Sequence, residues 1–99
     1  MRVVYQRHGG LSPALMNRAP RYEAELSPGE AATARRLVPP EFFTLPSSGP
    51  RARRPDMFLH EISVEDGGRQ HRVVLSEEDV APELRPFVEW LQQKATTWG

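Results

Sequence analysis

Two rhythms alternate along the chain. Residues 2–6 and 21–26 place apolar side chains at every second position: Val3 and Tyr5, then Tyr22, Ala24 and Leu26, with Arg21, Glu23 and Glu25 between them. A period of two marks a half-buried strand. Pro20 lacks an N–H and suits the start of the second strand or a sheet edge. The two runs predict an antiparallel hairpin with a long connection. From Ala31 the period lengthens, and Ala31, Ala34, Leu37 and Val38 form one helical stripe. Ser27 is a candidate N-cap, Pro28 suits the first helical position, and Glu30 completes a capping box three residues after the cap. Leu26 can pack back on Ala31 as a hydrophobic staple. Arg35 and Arg36 suit the C-terminal end of the helix dipole. Pro39 and Pro40 stop the helix.

Glu41–Leu45 is apolar but too short to type, and is expected to give Phe42 or Phe43 to the core. Residues 46–55 read as a loop from their proline, serine and glycine content. The period of two returns over residues 57–65, with Phe58, His60, Ile62 and Val64 on one face. Asp66-Gly67-Gly68-Arg69 is a tight-turn signal, and residues 70–75 return with His71, Val73 and Leu75 inward. If the glycines are the central turn residues, Val64 faces His71, Ile62 faces Val73 and His60 faces Leu75. Residues 76–79 form an acidic connector. A second helix is expected over 82–94, with Leu84, Phe87, Val88, Leu91 and Ala95 as its apolar stripe and Trp90 beside it. Glu83 and Lys94 would then suit its two ends, and Pro86 must lie within about a turn of its start. These elements predict a single α+β domain over residues 1–99. Its four-stranded antiparallel sheet follows ββαββα order, with both helices packed on one face.

Composition narrows the function more than the fold. Lys plus Arg number 13 and Asp plus Glu number 13, so the formal charge is zero. That argues against a broad footprint for nucleic acid or an anionic membrane. Arg51, Arg53 and Arg54 cluster, but without interleaved aromatics they read as a solvated loop. With no cysteine there is no disulfide and no thiolate chemistry. No apolar run approaches the roughly 20 residues of a membrane span. The N-terminal residues turn polar too early for a signal peptide. A soluble, cytoplasmic monomer without a cofactor is expected.

Catalytic chemistry finds little support. His8, His60 and His71 lack metal-ligand spacing with one another or with carboxylates. Gly9-Gly10 and Gly67-Gly68 lack the lysine and helix start of a phosphate loop. Glu77-Glu78-Asp79 reads as a solvated connector rather than a cation site. No catalytic and no metal-binding residue is assigned. The segment Arg7-His8-Gly9-Gly10-Leu11-Ser12-Pro13 stands apart. Two glycines open positive φ to the backbone, Leu11 tips the turn, and Pro13 fixes its own φ and stiffens the end of the loop. Such a loop can enter another protein's cleft, or it can simply join two strands.

Several pieces together resemble a known family. They are Arg7-x-Gly9-Gly10-Leu11, Leu26-Ser27, Phe43-x-Leu45-Pro46, Pro55-Asp56-x-Phe58, Asp66-Gly67, His71-x-Val73 and Pro82-x-Leu84-Arg85-Pro86, in that order. They resemble the protealysin-inhibitor, or emfourin-like, proteins over nearly the whole chain. Those are small, cysteine-free inhibitors of thermolysin-like zinc metalloproteases. The resemblance implies an inhibitor, not an enzyme, whose partner is such a protease. It also implies that Arg7, His8, Gly9, Gly10, Leu11, Ser12 and Pro13 form the partner-binding loop, with a positioning role for His8 favoured over approach to the zinc. Leu11 stands where the family commonly has phenylalanine, and His60 where it tends to have tyrosine. The alternative is a non-inhibitory binding module that uses a sheet edge or the C-terminal helix.

Overall fold

The computed structural model describes residues 1–8, 21–47 and 59–98. Strand β1 (Arg2–His8) is an inner strand of the sheet, with β2 (Arg21–Glu25) on one side and β3 (Leu59–Asp66) on the other; β4 (Arg69–Ser76) completes the order β2-β1-β3-β4. All three pairings are antiparallel. The β1–β2 hairpin sets Val3 against Ala24 and Tyr5 against Tyr22. The expected register of the second hairpin holds: Val64 opposes His71, Ile62 opposes Val73 and His60 opposes Leu75. Its turn needs positive φ at both central residues, and Gly67 (57°) and Gly68 (87°) supply it. The strand expected from Met57 starts at Leu59; Met57 and Phe58 lie outside the described residues.

Alternation gives the sheet one buried face, carrying Val3, Tyr5, Tyr22, His60, Ile62, Val64, Val73 and Leu75. Helix α1 (Pro28–Leu37) follows β2. Ser27 caps it, accepting from the Glu30 amide at 3.3 Å. The Glu30 carboxylate reaches back to Ser27, where the backbone N–H and the hydroxyl (3.2 Å) donate to it, and it also accepts from Lys94 of the second helix (2.8 Å). After Pro39, residues Pro40–Thr44 form a 3₁₀ turn that sinks Phe42 into the core and leaves Phe43 half-buried. Beyond it, the Leu45 carbonyl meets His71 Nε2 at 2.6 Å, and the Ser47 carbonyl accepts from the Val74 amide at 2.9 Å. Part of the outer edge of β4 is therefore covered. The outer edge of β2 carries Arg21, Glu23 and Glu25, and such charges discourage strand addition.

Helix α2 (Arg85–Trp98) lies across β1 and β2 and packs against α1. It starts three residues later and ends four residues later than the sequence pattern predicts. Proline can occupy only the first turn, so Pro86 sets the start near Arg85. Residues 82–84 instead form a turn, closed by the Leu84 and Arg85 amides on the Ala81 carbonyl (2.9 and 3.1 Å). Glu83 therefore precedes the helix, and Lys94 lies one turn before its end. Leu84, Phe87, Val88, Leu91 and Ala95 are all buried, as the stripe implies. Trp90 is half-buried, stacked on Phe87 at 6.1 Å and edge-on to Tyr22 at 6.5 Å.

Candidate functional site

Of the seven residues assigned to the partner-binding loop, the structure places two. Arg7 and His8 are not loop residues: they close β1, two positions past the expected strand end at Gln6. The reason is the second neighbour. Pairing with β2 stops at Gln6–Arg21, while β3 continues with Arg7–His60 and His8–Leu59. Gly9, Gly10, Leu11, Ser12 and Pro13 lie outside the described residues. The segment is thus launched from an inner strand held on both sides for most of its length.

A chain of polar side chains runs from the core beneath that launch point out to the surface. Alternation puts Arg7 on the same face as Tyr5, and its register partner is His60. Tyr5 and His60 are both fully buried, and their rings stack at 5.9 Å. His60 Nε2 meets the Glu77 carboxylate. An ionised carboxylate only accepts, so the neutral ring carries its proton on Nε2 and accepts the Tyr5 hydroxyl proton at Nδ1, at 2.8 Å. Glu77 Oε1 then accepts from Arg85 at 2.6 Å, and the same guanidinium reaches the Glu77 carbonyl at 3.4 Å. The network links β1, β3, the second 3₁₀ turn (Glu77–Asp79) and the first residue of α2.

Each shift has a physical cause. Burial pushes the Tyr5 hydroxyl up to about 12, although the Gln92 hydrogen bond and the nearby Arg7 charge act against it. Burial also pushes the Glu77 carboxyl up, but hydrogen bonds from His60 and Arg85, with the Arg85 charge, more than offset this and leave it below the ordinary value of 4.5. A depressed folded pKa means that the contribution is present above 4.5 and is lost as pH falls through the folded value. We expect Glu77→Ala to cost about 1–3 kcal/mol near neutral pH, because it leaves a buried imidazole N–H without its acceptor. It should also flatten the acid limb of stability below pH 4.5. Urea titrations at pH 7 and pH 4 check both, and a loss under about 0.5 kcal/mol would mean that His60 has another acceptor at hand.

The sequence pattern puts His60 on an apolar face and leaves Glu77 in a solvated connector. An ionisable ring at an inward position needs a buried partner, and that is the signal the chain offers. The partner's identity depends on tertiary folding, since Glu77 lies 17 residues further on. Among the described residues, no three His, Cys, Asp or Glu side chains could together hold a metal ion. No helix among them is long and apolar enough to cross a membrane.

This architecture, an open four-stranded antiparallel sheet with two helices, defines a small α+β domain. The chain matches the Emfourin family over residues 5–92 and belongs to it. That membership points to a metalloprotease-inhibitor role. No curated protein and no solved structure matches the chain.

Proposed function

We propose that the protein inhibits a thermolysin-like zinc metalloprotease by inserting the segment 7–13 into the active-site cleft, with Leu11 filling an apolar substrate pocket. The observation that carries this reading is the Emfourin match, which spans the segment and the second half of the strand that launches it. The firm base supplied by β1 supports it. A connection held at its root loses less entropy on docking, which lets an interface of ordinary area bind tightly. Burying a leucine side chain contributes about 1.5–3 kcal/mol, and the glycines and Pro13 can keep a peptide bond out of attack geometry.

The test is a titration of the purified protein against a thermolysin-like protease with a peptide substrate. Stoichiometric loss of activity is expected. Leu11→Asp should weaken inhibition at least about tenfold, equivalent to about 1.4 kcal/mol, with an unchanged thermal midpoint. Full protease activity at micromolar protein would overturn the reading. Complex formation without loss of activity would replace it with a binding module that uses a sheet edge or α2.

A further inference from the structure

The helix side of the molecule carries a groove that the inhibitory reading does not use. It lies between the first 3₁₀ turn and the residues that lead into α2, and encloses about 370 Å³, within the range of about 300–1,000 Å³ usual for binding pockets. Pro39, Leu45 and Ala81 give it its accessible apolar surface, with the buried Phe42 and Leu84 behind them. Each wall adds one acid: Glu41 from the 3₁₀ turn and Glu83 from the turn before α2.

Both acids are exposed, and neither side chain pairs with a cation among the described residues. Glu23, Glu30, Glu61, Asp66 and Glu77 each hold an arginine, a lysine or a histidine. Four cations of the neighbouring elements are engaged elsewhere: Arg85 on Glu77, Lys94 on Glu30, Arg35 on Asp66, and Arg69 over the Phe43 ring at 4.3 Å. Further along α2, a shallower cavity of about 500 Å³ beside Leu37 and Trp90 is edged by Glu89, another exposed acid with no cation partner among the described residues. The apolar surface on this side is thus bordered by acids with no cation partner among the described residues.

We propose that this groove docks a short segment of a partner protein in which one or two apolar side chains are flanked by lysine or arginine. The apolar residues would pack on Pro39, Leu45 and Ala81, and the flanking cations would meet Glu41 and Glu83. Opposite charge at the rim steers encounter and selects among apolar segments rather than supplying most of the affinity. The site is separate from the 7–13 segment and does not depend on the inhibitory reading.

The test uses the full chain, ¹⁵N-labelled, and two acetylated, amidated peptides, Lys-Ser-Leu-Leu-Ser-Lys and Glu-Ser-Leu-Leu-Ser-Glu. The basic peptide should shift the amides of residues 41–45 and 81–85 and bind at least about tenfold more tightly than the acidic one, with the difference shrinking at 0.5 M salt as the charges are screened. The double variant Glu41→Lys/Glu83→Lys should fold normally, since neither side chain is buried or paired, and should invert the preference. Equal binding of both peptides, shifts confined to another surface, or no binding at millimolar peptide would overturn the proposal. So would shifts at these amides that depend on protein concentration alone, because the groove would then be an interface between copies.

Discussion

Phe42→Ala is expected to destabilise the protein by about 3–5 kcal/mol, the range for emptying a fully buried phenylalanine site. The side chain has no exposed surface and meets three rings edge-on: Phe43 at 5.4 Å, His71 at 5.7 Å and Phe87 at 6.4 Å. It thus joins the 3₁₀ turn to β4 and to α2. The turn's other ties to the sheet include His71 on the Leu45 carbonyl and Arg69 over the Phe43 ring. Two amide bonds, Phe42 to the Pro39 carbonyl (3.0 Å) and Leu45 to the Phe42 carbonyl (3.2 Å), and the Thr44 hydroxyl on the Glu41 carbonyl (2.8 Å) are local and water-facing. Typical domains retain only about 5–15 kcal/mol, so the variant would sit near its threshold. Phe43→Ala is the control. That ring is half-buried, with Arg69 above it, and its loss should cost roughly 1–2 kcal/mol. Urea unfolding of the two variants decides the matter. Equal losses would mean that the turn is held by something other than the burial of Phe42.

That pair of phenylalanines also marks the limit of what the sequence pattern reveals. Alternation and helical spacing identify all four strands, both helices, the glycine turn and the register of the second hairpin, because each rests on residues within a few positions of one another. Two adjacent aromatics in a five-residue stretch carry no period, and the choice between them is made by Phe87 and His71, about 45 and 29 residues away. The start of α2 differs for a local reason that is legible in the chain: Pro86 excludes an earlier first turn. The end of β1 differs for a non-local one, since Arg7 and His8 are strand residues only through β3. The candidate site follows the same division. Its glycines and Leu11 are conspicuous in the chain, while the polar network beneath Arg7 joins residues 5, 60, 77 and 85 and has no local signature. The capping box shows the reverse case. A locally correct motif gains a further partner in Lys94, 64 residues distant.

The network at the base of that site should govern alkaline stability. Tyr5 is fully enclosed, and burial pushes its hydroxyl from 10.0 to about 12. A folded pKa above the unfolded value means that the stabilisation is complete below pH 10 and is lost as pH rises towards 12, because the unfolded chain releases the proton first. Two units at 1.36 kcal/mol each give about 2–3 kcal/mol from this one hydroxyl. Tyr22 and Lys94 are also raised and add to the slope, Tyr22 mainly through burial and Lys94 mainly through its hydrogen bond to Glu30. A comparison with Tyr5→Phe isolates the Tyr5 share. Phenylalanine keeps the ring stacked on His60 but leaves Nδ1 without its donor, so the variant should begin about 1–3 kcal/mol lower at pH 8. From pH 10 to 12 it should then lose about 2–3 kcal/mol less than the unmodified protein, so the two curves converge. Parallel curves over that window would show that the Tyr5 hydroxyl reaches water in the native state. The floor beneath Arg7 would then be open rather than sealed.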